Sequence, residues 1–321
     1  MKEPTLTIIR EAHRRIAPYI HRTPVMTSQA LNGLFKAELF FKCENLQKVG
    51  AFKMRGAANA VFSLSDEEAA KGVATHSSGN HAAALAQAAR YRGIKAYIVM
   101  PETAPQIKKK AVAGYGAEII FCQPTLQSRE ETLHQVVERT GAVFIHPYND
   151  YRIIAGQATA ALELLEEIND LDIVMTPVGG GGLLSGTALS VSFLSPKTRV
   201  IAGEPKGADD AFRSLQTGTI QPSVHPKTVA DGLLTSLGDK TFPIIRRLVS
   251  EIVTVSEANI ITAMRHIWER MKLIVEPSSA VPLGALPEKP ELFEERRIGI
   301  IISGGNVDLD HLPWISDAGV L

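Results

Sequence analysis

A run of four consecutive glycines provides the clearest chemical signal in the sequence. Gly179 to Gly182 follow a short apolar stretch and precede residues with helical spacing, at the junction where a strand passes into a helix. Without Cβ atoms, successive backbone N–H groups can approach an anion, and the start of a helix adds partial positive charge. The run therefore predicts a phosphate-binding loop. The ordinary alternative is a close-packed turn.

The loop alone does not identify the phosphate compound. It lacks the Gly-Lys-Ser/Thr ending of a nucleotide-binding P-loop. A dinucleotide fingerprint fits better, because Gly180 and Gly182 have its spacing and Glu204 ends the next predicted strand where a ribose-binding acid belongs. Ser185 stands at the third glycine position and weakens this fit. A dinucleotide-binding oxidoreductase is therefore one interpretation of the loop.

Lys53 is the second residue whose surroundings suggest chemistry. It lies in the segment GAFKMRGA at residues 50–57, between an aromatic residue and small residues and at the start of a helical pattern. A lysine in such a pocket can lose its proton and become a nucleophile that forms a Schiff base. Most lysines are solvated surface residues, so a surface lysine is the alternative.

Two polar clusters also follow predicted strands. They are HSSGNH at residues 76–81 and ISGGN at residues 302–306. Hydroxyls, amides and free N–H groups at a helix start suit an anionic ligand, although Ser and Asn are also the usual helix caps. Ligands of open α/β sheets bind outside the carboxyl ends of the strands. Because three strand ends carry Ser, Gly and Asn residues, one shared site is predicted.

Alternating short apolar and longer amphipathic segments must position these residues. Strand-length apolar runs cover residues 73–77, 95–100, 117–122, 143–147, 173–178, 198–204, 252–255 and 297–302. Helical spacing covers residues 81–92, 105–114, 129–140, 183–194 and 257–272. This alternation predicts parallel sheets with helices on both faces. Two sheets that share one cleft, with the chain crossing between them more than once, fit as well as a simple bisection.

Composition restricts the class of protein. Of 321 residues 45% are apolar, which is enough for an ordinary folded core. The 34 basic and 34 acidic residues cancel, so no global charge favours nucleic acid or an anionic membrane. The first residues lack the apolar region of a secretory signal. Two distant cysteines suit a reducing compartment, and we expect a cytoplasmic location.

The motifs in combination resemble the pyridoxal-phosphate enzymes of fold type II, in particular the serine racemase and serine/threonine dehydratase (hydroxyaspartate ammonia-lyase) group. The resemblance extends from IHRTPV at residues 20–25 to SGGNVD at residues 303–308. Against the family pattern Ser-Phe-Lys-x-Arg-Gly-Ala, this chain departs only at Ala51. The resemblance implies an α/β fold like that of the tryptophan synthase β chain, with two doubly wound sheet domains and the active site in the cleft between them. The implied domains are a large cofactor-binding domain of residues 1–71 and 152–321 and a small mobile domain of residues 72–151.

The resemblance also implies the cofactor contacts, and favours pyridoxal 5'-phosphate over a dinucleotide. Lys53 carries the cofactor as a Schiff base, and Phe52 packs against its ring. Asn80 meets the ring hydroxyl, and Ser303 faces the pyridine nitrogen. The remaining implied contacts are Gly179, Gly180, Gly181, Gly182 and Leu183 at the phosphate, and Gly232 and Glu276 along the pocket.

Substrate contacts follow from the same resemblance. The substrate carboxylate lies on Ser77, Asn80 and His81, although a structural histidine is an equal alternative for His81. Arg129 and Thr235 reach the substrate, the alternative for Arg129 being a salt bridge within its helix. Side-chain preference depends on residues 147–150 and the Thr235 region, and the sequence does not specify it.

The predicted activity is dehydration and deamination of serine, threonine or 3-hydroxyaspartate to a 2-oxo acid and ammonia. Lys53 is the general base that removes the α-proton. Ser78 stands on the opposite face in racemase-like members and can return a proton there. The alternative is an amino-acid racemase with dehydration as a side activity.

A divalent cation is implied by the segment GEPKGADD at residues 203–210. The matching positions are Glu204, Asp210 and the carbonyl of Ala208. All-oxygen ligation suits Mg²⁺, Ca²⁺ or Mn²⁺, whereas two carboxylates at this spacing are otherwise a common solvated pair. The resemblance also implies a homodimer that acts on a small amino acid.

Three other classes agree less well with the sequence. A β-replacement synthase on the same fold lacks the dehydratase-like segments around Glu204 and Arg129. A dinucleotide-binding oxidoreductase leaves Lys53 and the Ser303 cluster without a role. A non-catalytic amino-acid sensor would not need Lys53.

Overall fold

The computed structural model describes residues 2–104 and 106–315. Residue 105, at the predicted start of a helix, and residues 1 and 316–321 of the predicted large domain lie outside the described residues. Within this part of the chain the strands are β1 (Val25–Thr27), β2 (Glu38–Cys43), β3 (Val73–His76), β4 (Ala96–Pro101), β5 (Glu118–Cys122), β6 (Val143–Phe144), β7 (Ile173–Pro177), β8 (Arg199–Pro205), β9 (Glu251–Val255) and β10 (Arg297–Ile302).

The helices surround these strands on both faces. They are α1 (Leu6–Ile16), α2 (Gln29–Phe35), α3 (Lys53–Phe62), α4 (Asp66–Ala70), α5 (Asn80–Arg92), α6 (Gln106–Gly114), α7 (Leu126–Thr140), α8 (Tyr151–Glu167), α9 (Gly182–Leu194), α10 (Asp210–Thr217), α11 (Thr241–Leu248), α12 (Glu257–His266), α13 (Pro277–Gly284) and α14 (Pro290–Phe293).

The strands form two separate sheets. The six-stranded sheet has the order β1-β2-β10-β7-β8-β9, and all its pairs are parallel except β1–β2. The four-stranded sheet has the order β5-β4-β3-β6 and is parallel throughout. The chain leaves the larger sheet after β2, builds the smaller sheet, and returns with β7. The predicted α/β fold with two doubly wound sheets is confirmed.

Central strands of the larger sheet are buried on both faces. The residues of β7 are all buried, as are those of β10 after Arg297. Parallel strands covered by helices on both sides are expected to be continuously apolar, which explains why β7 and β10 were predictable from the sequence.

Helix ends follow local rules that the sequence displays. α5 ends at Gly93 with a φ of +71°, and α7 ends at Gly141 with a φ of +69°. This left-handed conformation costs glycine little, so both glycines act as helix stops, directly after the helical spacing predicted for residues 81–92 and 129–140. The hydroxyl of Thr125 accepts the N–H of Ser128, so α7 begins at Leu126, before the predicted start.

Other elements differ from the prediction. The predicted strand over residues 143–147 ends at Phe144, because the chain turns around the His146 imidazole, which accepts the Asn149 N–H at 2.9 Å. The predicted helix over residues 257–272 is α-helical only to His266 and continues as one π-helical turn, Ile267–Met271.

Strand β2 was missed because a charged residue interrupts its apolar pattern. Lys42 is fully buried, and its Nζ donates to the carbonyl of Thr23 at 2.6 Å and to the carboxylate of Glu163 at 2.7 Å. A buried ammonium is tolerated only with such partners, and the sequence does not reveal them. None of the helices in the described ranges has the length and apolarity needed to cross a membrane.

Candidate active site between the two sheets

Lys53 is the first residue of α3 and lies between the two sheets. Its Nζ donates to the carbonyl oxygen of Pro147 at 3.0 Å, and it lies 5.1 Å from the centroid of the Phe52 ring. Burial lowers the pKa of Lys53 to about 8, while the carboxylate of Glu276 acts in the opposite direction. A large fraction of this amine is therefore neutral near pH 8, as a nucleophile requires.

Ser303 and its neighbours adjoin the turn that carries Lys53. The N–H of Phe52 donates to the carbonyl oxygen of Ser303 at 2.9 Å, and Ala51 forms an isolated antiparallel bridge with Gly304. The Ser303 hydroxyl is buried and lies 2.9 Å from the hydroxyl of Ser279. These contacts join the end of β10 to the start of α3.

The glycine run forms a bare loop between β7 and α9. Gly181 has a φ of +87°, and Gly182 begins α9. A Cβ on Gly180 would lie 2.3 Å from the Tyr148 ring, and one on Gly179 would lie 3.0 Å from the Leu233 backbone. The loop is therefore a cradle that any side chain would fill, and it fits a phosphate group at the start of a helix. Leu183, the next residue, is buried.

Asn80 links the two sheets. Its side-chain nitrogen donates to the Glu276 carboxylate at 3.0 and 3.1 Å, and its oxygen accepts from Asn306 at 2.9 Å. Burial raises the pKa of Glu276 to about 7. On the same side, the N–H of Gly232 donates to Ser278 at 3.1 Å.

The start of α5 presents polar groups around Asn80. Ser77 and Ser78 are half-buried, and within the described residues the Ser78 hydroxyl makes no hydrogen bond. His81 is buried, with Nε2 3.2 Å from the Ile145 carbonyl and Nδ1 unpartnered within that range. Burial holds the pKa of His81 well below its usual value, so the ring is neutral.

Thr235 joins this site, whereas Arg129 is not in hydrogen-bond contact with its other predicted members. Thr235 is exposed, and its hydroxyl neighbours the phenol of Tyr148. Arg129 lies on α7, where its charge acts on His76 and Cys122. Its Nε is buried and has no hydrogen-bond partner among the described residues.

The predicted metal ligands form a separate group at the end of β8. Both oxygens of Glu204 accept backbone N–H groups, from Ala211 and Phe212 at 2.8 Å. Burial raises the pKa of Glu204 to about 8 and that of Asp210 to about 6. One Asp210 oxygen is buried without a hydrogen-bond partner in the described ranges, and Ala208 is buried nearby in the chain. Residues 2–104 and 106–315 contain no cluster of three or more His, Cys, Asp or Glu side chains suited to a metal.

Four further residues that were not predicted individually contact this site, although Tyr148 lies in the segment predicted to govern side-chain preference and Asn306 in a predicted polar cluster. Ser279 partners Ser303, and Asn306 partners Asn80. Tyr148 covers the glycine loop, and His146 holds the Tyr148 segment. The segment HPYND at residues 146–150 gave a signal, since an aromatic residue among polar ones follows a predicted strand, but no spacing rule assigns these residues a partner.

Comparisons with known proteins agree with this geometry. The family model described as "Pyridoxal-phosphate dependent enzyme" matches residues 16–304. A beta-hydroxyaspartate dehydratase of Paracoccus denitrificans (strain Pd 1222) is 56% identical over 97% of this chain and 99% of its own. The crystal structure of serine racemase from Dictyostelium discoideum superposes with a TM-score of 0.92, at 52% identity over 95% of this chain and 99% of that one.

The crystal structure of the T.th. threonine deaminase is also similar, with a TM-score of 0.91 and 46% identity over 95% of this chain and 99% of that one. The family match covers most of the chain, and a half-buried lysine of lowered pKa together with a bare glycine loop fits an aldehyde and a phosphate on one cofactor. This chain therefore belongs to the family of pyridoxal-phosphate-dependent enzymes.

Proposed function

We propose that this protein removes water and ammonia from a 3-hydroxy amino acid (serine, threonine or 3-hydroxyaspartate) and so forms a 2-oxo acid. The observation that carries the proposal is the half-buried Lys53, whose pKa is lowered to about 8 and whose Nζ donates to Pro147, the residue before the Tyr148 ring that covers the glycine loop. The similarity to a beta-hydroxyaspartate dehydratase and to a threonine deaminase supports this reaction over others of the family.

We propose the cofactor-binding residues that the family resemblance implies, and the bare glycine loop and the polar strand ends support them. Pyridoxal 5'-phosphate, when bound, withdraws electrons from the α-carbon of an amino acid joined to it. Lys53 holds its aldehyde, with Phe52 beside the ring. Ser303 contacts the ring nitrogen, and Asn80 contacts the ring hydroxyl. The other proposed contacts are Gly179, Gly180, Gly181, Gly182, Leu183, Gly232 and Glu276.

Proton transfer at the α-carbon is assigned to Lys53. Its lowered pKa leaves a large fraction of the amine free to accept a proton near pH 8. The Ser303 hydroxyl is paired with the Ser279 hydroxyl, a neutral partner. A neutral contact at the ring nitrogen weakens electron withdrawal, which favours prompt loss of the 3-hydroxyl over a long-lived carbanion.

The substrate carboxylate is assigned to the start of α5. Ser77, Asn80 and His81 offer hydroxyl, amide and imidazole groups there, together with backbone N–H groups that carry partial positive charge. Because the Ile145 carbonyl can only accept, neutral His81 carries its proton on Nε2, and its Nδ1, unpartnered within the described residues, is an acceptor. His81 is therefore proposed to shape this site rather than to donate to the carboxylate. Arg129 and Thr235 are proposed as further substrate contacts.

Direct assay of the three candidate substrates tests the function. The purified protein, loaded with pyridoxal phosphate, is incubated with each 3-hydroxy amino acid, and 2-oxo acid and ammonia are measured. Lys53→Met should abolish both products. Lys48→Met is the control, because Lys48 lies 5.0 Å from the Tyr91 ring and outside the site. Absence of oxo acid from all three substrates would refute the proposal.

Serine racemisation is the alternative activity, and Ser78 is the observation that favours it. Its hydroxyl is half-buried and, in the described ranges, makes no hydrogen bond, so it is available to carry a proton. The similarity to a serine racemase is consistent with this. Ser78→Ala should abolish D-serine formation and leave 2-oxo acid formation from L-substrates intact. A wild-type protein that forms D-serine faster than pyruvate would make racemisation the main activity.

We further propose that Glu204, Asp210 and the Ala208 carbonyl bind Mg²⁺, Ca²⁺ or Mn²⁺. The unpartnered buried oxygen of Asp210 supports this, because a cation would supply its missing partner. Chelation should lower the midpoint of thermal unfolding, and Glu204→Gln should remove the effect of added cation. No shift in the wild-type protein with any of the three ions would contradict the site.

The assembly and location of the protein are also proposals. We propose a homodimer in the cytoplasm, with residues 72–151 as a domain that moves against residues 1–71 and 152–321. Two buried free cysteines, Cys43 and Cys122, are compatible with a reducing compartment. Sedimentation velocity of the cofactor-loaded protein tests the dimer.

A further inference from the structure

The segment of residues 146–150 crosses from the smaller sheet back to the larger one and is held on both sides. The Nδ1 atom of His146 accepts the N–H groups of Tyr148 at 3.3 Å and Asn149 at 2.9 Å. The side chain of Asn149 donates to Asp239 at 2.6 Å and accepts the N–H of Lys240 at 2.9 Å. Tyr148 is therefore fixed between two anchored neighbours.

The Tyr148 ring lies against the glycine loop. A Cβ on Gly180 would come within 2.3 Å of this ring, and a Cβ on Gly182 would lie 3.0 Å from the Tyr148 Cβ atom. The His146 ring packs edge-on against it, with centroids 4.6 Å apart and planes at 86°. Only glycine leaves room for this packing, so the loop and the ring are matched to each other.

Tyr148 is linked to two residues of the proposed reaction, to Lys53 through the adjacent Pro147 and to Thr235 through its phenol. The preceding residue, Pro147, accepts the Lys53 Nζ at 3.0 Å, so Tyr148 is one peptide away from the proposed general base. The phenol neighbours the hydroxyl of Thr235, a proposed substrate contact. Burial raises the pKa of Tyr148, which keeps its proton in place near neutral pH. Tyr148 therefore offers a protonated phenol beside Thr235, one residue along the chain from the carbonyl that holds Lys53.

We propose that the Tyr148 phenol hydrogen-bonds the hydroxyl group on C3 of the substrate and donates its proton to that group as it leaves. This inference rests on the proposed dehydration. Loss of hydroxide from carbon is slow without a proton donor, and a positioned acid typically contributes about 10²- to 10⁴-fold in rate.

Atoms and charge balance in this step. Lys53 takes the proton from C2, and the electron pair of that C–H bond forms the C2–C3 double bond. The C3–O bond breaks, and its electron pair leaves with the oxygen, which takes the phenol proton and departs as water. The phenolate then recovers a proton from the Lys53 ammonium through solvent, which restores both groups.

Two substrates that differ in their need for a proton separate this role from simple packing. The 3-hydroxy substrate that the wild type turns over best is compared with β-chloro-L-alanine, whose chloride leaves without a proton. In Tyr148→Phe, which keeps the ring, kcat/KM for the hydroxy substrate should fall about tenfold or more, and that for chloroalanine less than about threefold. Tyr91→Phe removes a partly exposed phenol on α5 and is the matched control.

Ligand binding provides a readout that does not depend on turnover. 2-Methylserine has the hydroxyl but no α-proton to lose, and 2-aminoisobutyrate lacks the hydroxyl. Calorimetry should find that Tyr148→Phe weakens binding of 2-methylserine by roughly fivefold and leaves 2-aminoisobutyrate unchanged. The thermal transition shows whether Tyr148→Phe folds. If it does not fold, the affinities of the wild type for 2-methylserine and 2-aminoisobutyrate are compared instead. Equal affinity for the two ligands contradicts a hydrogen bond to the substrate hydroxyl.

Each outcome has one meaning. Loss confined to the hydroxy substrate supports the phenol as the proton donor. Equal loss with both substrates, or no loss, overturns it. A wild type that forms oxo acid from neither compound refutes the proposed function itself, independently of Tyr148.

Discussion

Burial and a carboxylate that lies far away in the sequence determine the pKa of Lys53. The sequence predicted this residue from its flanking Phe52 and small neighbours, because these surroundings suit a desolvated lysine. It could not predict the strength of the effect. Burial lowers the pKa to about 8, and the opposing charge comes from Glu276, which is more than two hundred residues away in the chain.

The lowered pKa predicts an unusual pH dependence for the reactivity of Lys53. In the protein without cofactor, acylation of Lys53 should rise through about pH 8 and then level, since the neutral amine predominates above its pKa. Exposed lysines as a class gain reactivity up to roughly pH 10.4. Peptide mass spectrometry after brief labelling at a series of pH values measures the acylation of Lys53 and of the exposed lysines.

Glu276→Gln removes the charge that raises the pKa of Lys53, so it should move the pH profile of Lys53 acylation to lower pH. A Lys53 profile that follows the exposed class would contradict the assignment.

Elements whose local patterns are self-contained were predictable. The glycine stops of α5 and α7 and the apolar runs of β7 and β10 depend only on neighbouring residues. Elements that depend on remote partners were not predictable. β2 contains Lys42, which is buried only because Glu163 neutralises it, and β6 is short because His146 turns the chain.

At the scale of the structural element, the glycine loop before α9 allows a prediction about cofactor affinity. Gly180→Ala would place a methyl group 2.3 Å from the Tyr148 ring, so the ring or the loop must move. Overpacking of this kind typically costs about 1–3 kcal/mol. The dissociation constant for pyridoxal phosphate, measured by absorbance titration, should therefore rise about tenfold.

Gly33→Ala is the control for this variant. Gly33 lies within α2 with nothing inside 4 Å of its Cβ position. Alanine there should stabilise the protein by up to about 1 kcal/mol and leave cofactor affinity unchanged. If Gly180→Ala binds pyridoxal phosphate with the wild-type dissociation constant, the loop accommodates a methyl group and the predicted clash with the Tyr148 ring is wrong.

At the scale of the whole molecule, contacts between the two sheets come from residues far apart in sequence. Asn80 meets Glu276, Lys53 meets Pro147, and Lys108 meets Asp231. Local patterns predicted eight of the ten described strands, all but β1 and β2, and gave no information on the strand order or on these pairs. The family resemblance supplied the two-sheet arrangement and most of the site residues. It marked the loop of residues 147–150 but gave Tyr148 no role of its own, because the role of that ring depends on the packing of one loop against another.

The Lys108–Asp231 ion pair predicts a salt-dependent closing of the two sheets on substrate. Lys108 on α6 donates to Asp231 at 2.7 Å across the cleft, and the two side chains are 34% and 58% exposed. Because exposed pairs are worth about 0–1 kcal/mol, Lys108→Gln should barely change the free energy of unfolding. It should raise KM up to about fivefold at low ionic strength, and this difference should disappear near 1 M salt.

Asp231→Asn should raise KM by the same factor, and the double variant should show no further increase. Lys71→Gln, which breaks the exposed pair with Glu67 on one helix, should leave KM unchanged. If KM of Lys108→Gln keeps the wild-type salt response, the pair does not contribute to closing the cleft.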